Sequence, residues 1–261
     1  MQLLLDHPCA DPAAMMEHAA NLGITALMLA AQKGHVDAMR LLLDHPCADP
    51  TAMMTTAATD GSTAVTLNAL YGHADAMRLM LDHPSADASA MMMLSNVFGS
   101  TALMFAAEHG HVDAMRLLLD HPSADPVAMM AHASGGGATA LMFAAQEGQV
   151  DAMRLLLDHP SANASAMMMH EDGTGWTALM VMETLMAGPR SGALFDDDQP
   201  DDVRDECIRL LLEFGARGFD FNRPCVMRIV RELAALARVP QLLNEAVVGV
   251  AVAQQQRLPR H

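Results

Sequence analysis

Apolar residues recur along most of the chain at helical spacing, in pairs of short runs separated by glycine and closed by proline. Within 101–138, Leu103, Met104 and Ala107 fall on one helical face, and Thr101 stands where a hydroxyl can cap the first turn. Gly110 ends that run by supplying a left-handed backbone geometry. A second helix is predicted from about Val112, with Asp113 in its first turn, where a carboxylate suits the helix dipole. Met115, Leu118 and Leu119 form its apolar stripe, and Arg116 is expected on the wet side within reach of Asp113 or Asp120. Pro122 stops the helix, because His121 before it is forced out of helical geometry. The stretch that follows, SADPVAMMAHASGGGA, reads as irregular. The predicted unit is helix, turn, helix, long loop.

This pattern restarts at Thr25, Thr63, Thr101, Thr139 and Thr177, each 38 residues after the last. GHVDAMRLLLDHP stands at 34–46 and again, letter for letter, at 110–122, with GHADAMRLMLDHP at 72–84 and GQVDAMRLLLDHP at 148–160. Four full units span 25–62, 63–100, 101–138 and 139–176. A single unit cannot bury its own apolar faces, whereas units stacked side by side can. Residues 1–24 hold an outer helix and loop with no inner helix ahead of them, so the natural array is expected to extend further N-terminally. A fifth repeat at 177–222 is interrupted by an acidic insert near 188–203. Residues 223–261 then offer a helical cap and a short tail, built from PCVMRIVRELAALAR and QLLNEAVVGVAVAQQQ on either side of Pro240. Stacked repeats need such a terminal element over their open end.

TALMFAAEHGHVDAMRLLLDHPSAD resembles the ankyrin repeat, whose pattern runs T-P-L-H-x-A-A-x-x-G-H, then an outer helix ending L-L-L, then G-A-D. The resemblance implies an all-α fold, an ankyrin-type α-solenoid of stacked helix-turn-helix repeats with long hairpin-like loops and a C-terminal helical cap. Three departures stand out. The family's Pro is Ala26, Ala64, Ala102 and Ala140; its His is Met28, Thr66, Met104 and Met142; and its Gly before Ala-Asp is Pro-Cys or Pro-Ser in a longer loop.

Composition narrows the function. Residues 1–176 carry 19 acidic and 5 basic side chains, within a net charge of −16 for the chain. Such a field repels a phosphate backbone and favours a neutral or basic partner. Aromatic residues make up only 3%, so Ala, Leu and Met must pack the core. Cys9 and Cys47 occupy a repeat position held elsewhere by Ser85, Ser123 and Ser161, which suits free thiols in a reducing compartment rather than bridges. No signal peptide or membrane span is read in the sequence, the uncharged stretch 88–107 being broken by Ser95, Asn96, Gly99 and Ser100. The expected location is the cytoplasm or nucleus, and the expected state a monomer.

Several tempting motifs reduce to plainer readings. Asp120, His121 and Ser123 hold the residue types of a hydrolase triad, but neighbours at a helix end diverge, and Ser is exchanged for Cys in other copies. Histidines 7, 45, 83, 121 and 159 form a ladder whose rungs are too far apart to converge on one zinc ion. His35, His73 and His111 read as structural, and the Met pairs from Met15–Met16 to Met167–Met169 as packing beneath the loops. Packing is also expected of Trp176. SGGGA at 134–138 lacks the strand and Lys of a phosphate loop. No enzyme, cofactor or metal is expected.

Two zones vary while the framework stays constant. One is the end of the inner helix: Gln32-Lys33, Leu70-Tyr71, Glu108-His109 and Gln146-Glu147. The other is the loop tip, TTAATDGS, LSNVFGS, AHASGGGA and HEDGTGW. The second unit is the sharpest candidate, because Leu70, Tyr71 and Phe98 put apolar and aromatic groups where other copies are mostly polar or small. The family resemblance implies that both line a concave groove. Variation on a rigid scaffold marks a recognition surface, and also marks unconstrained loops. Two functions are carried forward, a non-catalytic scaffold that binds a partner protein on its concave face, and a ubiquitin-ligase substrate adaptor that docks through 223–256.

Overall fold

The computed structural model describes residues 19–178 together with 180 and 181. The acidic insert, most of the fifth repeat and the C-terminal cap lie outside the described residues, as does the N-terminal outer helix. Within them, twelve α-helices follow one another in four groups of three. The first unit holds α1 (Ala26–Gln32), α2 (Val36–Leu43) and α3 (Pro50–Thr55). The second holds α4 (Ala64–Leu70), α5 (Ala74–Leu81) and α6 (Ala88–Met93). In the third come α7 (Ala102–Glu108), α8 (Val112–Asp120) and α9 (Pro126–Ala131), and in the fourth α10 (Ala140–Gln146), α11 (Val150–Asp158) and α12 (Ala164–Met169).

Inner helices α1, α4, α7 and α10 pack in sequence, and outer helices α2, α5, α8 and α11 do the same behind them. The predicted stripe of α8 is confirmed, with Met115, Leu118 and Leu119 all buried. Burying one such side chain stabilises the fold by about 1.5–3 kcal/mol, so the summed core, not any single contact, holds the stack. The inner helices place alanines against one another (Ala30 and Ala31, Ala106 and Ala107, Ala144 and Ala145), and side chains this small let neighbouring backbones approach closely.

The loops correct the sequence reading. The stretch expected to be irregular contains a third helix in every unit, two of them starting at a proline. Its first turn is capped by Asp49, Asp87, Asp125 or Asn163, each accepting a hydrogen bond from the backbone N–H three residues on, at 3.0–3.1 Å. Pro50 and Pro126 fit at this end because the first helical N–H needs no partner inside the helix. Met53 and Met54, with their equivalents through Met167 and Met168, are buried here, as expected of packing beneath the loops. The signal was legible as Asp, then Pro or Ala, then a Met pair three or four residues later. A glycine-rich continuation obscured it.

Capping of the inner helices differs from expectation too. Thr25 accepts from Met28 N–H at 3.3 Å, and Thr63 forms a reciprocal capping box with Thr66. Thr101 stands at the N-cap without a side-chain cap bond, and buried Thr139 Oγ1 has no partner. Arg116 forms no ion pair with Asp113 or Asp120. Instead Asp120 lies 3.7 Å from His159 Nε2 of the next unit.

That pair belongs to a series. His83 Nε2 lies 3.8 Å from Asp44, and His121 Nε2 3.4 Å from Asp82, each reaching back one unit. On the other side of each ring, Nδ1 accepts the backbone N–H two residues on, from Ser85, Ser123 and Ser161. An imidazole that accepts at Nδ1 carries its proton on Nε2, which is the atom facing the aspartate. The histidine ladder is therefore a set of inter-unit ties. Ser123 contributes its N–H and not its hydroxyl, so the residues of the apparent triad make no nucleophile.

A second series runs along the turn between inner and outer helices. His73 Nε2 lies 3.2 Å from the Gln32 carbonyl, and His111 Nε2 3.2 Å from that of Leu70. Gly34 and Gly72 make this possible. Both have positive φ, and a Cβ on either would lie 2.6 Å from the histidine Nδ1.

Candidate functional site

The inner helices bury residues two, three, five and six after each capping Thr, for example Leu27, Met28, Ala30 and Ala31. The position between them, and the last residues of the helix, face outward together because they are spaced i, i+3, i+4. Unit by unit this face presents Leu29, Gln32 and Lys33; Leu67, Leu70 and Tyr71; Phe105, Glu108 and His109; Phe143, Gln146 and Glu147. Eight of the nine expected site residues thus lie in one row. Lys33, Tyr71, His109 and Gln146 are exposed, while Gln32, Leu70, Glu108 and Glu147 are half-buried.

Neighbouring residues of the row are joined. Gln32 Nε2 donates to the Tyr71 hydroxyl at 3.0 Å, across the first inter-unit boundary. Tyr71 stacks on His73 and His109 on His111, with ring centres 6.4 and 6.0 Å apart. His109 Nδ1 lies 3.2 Å from the Phe105 carbonyl. These contacts hold the rings upright at the helix ends, on the line of structural histidines beneath them. Burial pushes the Glu108 carboxyl above its ordinary value; His109 beside it pulls it down, and Glu147 of the next unit pushes it up. The two carboxylates are therefore close enough to feel each other.

The ninth residue, Phe98, is placed apart. It stands on the tip of the hairpin between α6 and α7, 70% exposed, with neither a ring contact nor a hydrogen bond to Leu70 or Tyr71. Leu70 and Tyr71 thus stand on the inner-helix end and Phe98 on the hairpin tip, the two zones in which the sequence varies. Asn96 Oδ1 accepts the N–H groups of Phe98 and Ser100 at 3.0 and 2.9 Å and fixes the turn that holds Phe98 outward. Successive hairpins are stitched by single backbone bonds, Thr59 N to Leu22 O, Val97 N to Asp60 O, Gly135 N to Phe98 O and Gly173 N to Gly136 O, at 2.7–2.9 Å. The variable tips therefore form a continuous edge rather than independent loops. Trp176, expected to pack, is 40% exposed on the last of these hairpins.

Sequence comparison of the variable pairs missed the apolar row Leu29, Leu67, Phe105 and Phe143. All four remain apolar, so they read as core, yet Leu29 is 47% exposed and the other three are half-buried. The signal was helical spacing: each lies three and four residues before a variable pair. On the opposite side, an open groove of about 750 Å³ lies between α5 and α8, lined by Arg78, Asp82, Asp113, Arg116, Asp120 and His121 among others. Arg78 and Arg116, like Asp82 and Asp120, occupy equivalent positions in their units. This groove presents the framework over again and carries nothing specific to one unit.

Stacked helical units with a constant body and a changing inner face define a repeat scaffold. The chain belongs to the ankyrin repeat family: the family pattern described as Ankyrin repeats (3 copies) matches residues 1–92 and 50–130, and that described as Ankyrin repeat matches 136–167. A comparison with curated proteins gave no match. Ankyrin repeats mediate protein–protein interactions and are typically non-catalytic modules. Among the described residues, no helix is long and apolar enough to cross a membrane, and no three His, Cys, Asp or Glu side chains gather as a metal site.

Proposed function

We propose that the chain is a non-catalytic scaffold that binds a partner protein across its inner-helix face, the concave side of the family's fold. One observation carries this reading: chemical variety is concentrated on the accessible inner-helix row and on the hairpin tips, while the framework of each unit repeats. Aromatic groups on that row, Tyr71 and Phe105 among them, are types enriched at interfaces. A platform of this kind works by holding a partner, and its specificity lies in which side chain tops each unit.

The test is site-specific photo-crosslinking in the full chain. A crosslinking amino acid at Tyr71 or Glu147 should capture a partner that the same group at Arg78 or Arg116 on the outer helices does not. A Leu70, Tyr71 and Phe98 triple alanine variant, checked for unchanged melting, should lose that partner. Capture only from the outer helices would overturn the reading. The ligase-adaptor alternative rests on 223–256, outside the described residues, and nothing in the inner face favours it.

A further inference from the structure

We propose that the occupant of this face is a basic amphipathic α-helix, laid along the stack with its Lys and Arg residues over the third and fourth units. The inference rests on the inner-face reading above and adds the chemistry and shape of the partner.

Spacing argues for a helix. Leu29, Leu67, Phe105 and Phe143 occupy one repeat position on inner helices that pack consecutively, and side-by-side helices lie about 8–10 Å apart. A helix rises about 10.5 Å over seven residues, which returns nearly the same face. Apolar side chains seven apart therefore meet successive rungs. An extended strand covers the same distance in about three residues but turns its side chains over at every odd step, so it meets only alternate rungs.

Charge fixes the composition and the direction. The row is apolar in its first half, where Leu29, Leu67, Leu70 and Tyr71 stand with a single cation, Lys33. In its second half stand Glu108 and, on the next unit, Glu147, whose charge raises Glu108, with Phe105 and Phe143 three and four residues before them on their helices. A Lys or Arg side chain laid there sets its stem on the two rings and its charge between the carboxylates, and the cation also gains from the ring faces. The same cation reduces the repulsion that Glu147 exerts on Glu108, which His109 already offsets in the free protein. The chain's net charge of −16 draws such a partner in and repels an acidic one.

The experiment measures fluorescence anisotropy of labelled peptides of about 22 residues, enough to span four rungs, on the full chain. The first peptide has leucines seven apart with Lys and Arg clustered in one half. The second replaces the basic residues by Glu, the third scrambles the order, and the fourth is a Pro-rich sequence of equal charge. The first should bind at least tenfold more tightly than the others. Glu108→Gln with Glu147→Gln should remove about tenfold of that affinity and much of its salt dependence. Equal binding of the scrambled or Pro-rich peptide, or a basic preference untouched by the double Gln variant, overturns the proposal. So does a tenfold gain in affinity when Arg228, Arg231 and Arg238 are changed to Ser, since the occupant would then be the chain's own segment. Any of these results, alongside a partner crosslinked to Tyr71 or Glu147, leaves the scaffold reading standing and removes only the helix. Capture confined to the outer helices removes both.

Discussion

Asn68 offers the sharpest test of how the stack is held together. In three units the equivalent positions of inner and outer helix hold Ala30 and Leu42, Ala106 and Leu118, and Ala144 and Leu156, all buried. In the second unit the same positions hold Asn68 and Met80, both fully buried. The Asn68 amide donates to Met80 Sδ at 3.5 Å, and its Oδ1 has no partner. A thioether is a weak acceptor, and an unsatisfied buried polar atom costs about 1–3 kcal/mol. Asn68→Ala removes that penalty and leaves a space roughly the size of a water, ~30 Å³. At ~24 cal/mol per Å³ the space costs about 0.7 kcal/mol. The net is a stabilisation of about 0.5–2 kcal/mol, or roughly 2–6 °C in Tm for a chain of this size. Met80→Leu alone should destabilise, because it strands the amide nitrogen as well. The double variant should be the most stable of the four proteins, since it restores the pair found in the other units. Thermal melts followed by circular dichroism on all four proteins close a double-mutant cycle. An Asn68→Ala protein that melts at or below the parent would refute the argument, because it would mean that the amide has a partner worth more than its burial costs.

Three further outcomes follow from the same geometry. Gly72→Ala must adopt a φ of +74° and drive a Cβ to 2.6 Å from His111 Nδ1; a loss of about 2 kcal/mol or more in chemical denaturation is expected, and a silent substitution would show that the turn relaxes freely. His111 is held below its ordinary pKa, chiefly by burial, against its bond to the Leu70 carbonyl and with His109 and His73 adding to the depression. The unfolded chain then takes up the proton first as pH falls, so stability should drop from the ordinary histidine value down through the depressed one. His111→Gln, the residue already present as Gln149, should flatten that part of a stability–pH curve. Glu108 is raised, so a bound cation lowers it and releases a proton; affinity for the basic peptide should grow as pH rises through the raised value, and Glu108→Gln should abolish the slope in anisotropy titrations.

The body of the fold was legible because the chain states it four times. Thr at the cap, a left-handed Gly nine positions later and Pro after the outer helix are local signals, and each recurs with the core positions between them. What was hidden depended on contacts between units. The partner of Arg116 was sought one turn away on its own helix, yet the carboxylate of Asp120 goes to His159, a residue in the next unit. The row at Leu29, Leu67, Phe105 and Phe143 was hidden for the opposite reason, since apolar residues at helical spacing read as core although, among the described residues, Leu29 is exposed and the other three are only partly covered.

The same distinction separates holding from binding in this molecule. Most ties between units use groups that recur: the Asp–His pairs, the turn histidines His73 and His111, and the backbone stitches between hairpins. Because these ties satisfy polar atoms on the outer side and in the turns, the inner face is free to change without loosening the stack. Lys33, Tyr71, His109 and Glu147 occupy one repeat position as cation, phenol, imidazole and carboxylate, each at the C-terminal end of an inner helix that is otherwise nearly constant. A framework that accepts all four at one position sets little requirement there, the Tyr71 bond to Gln32 excepted. On the proposed scaffold reading a bound partner selects among them, and the apolar row three and four residues behind offers that partner a surface to rest on.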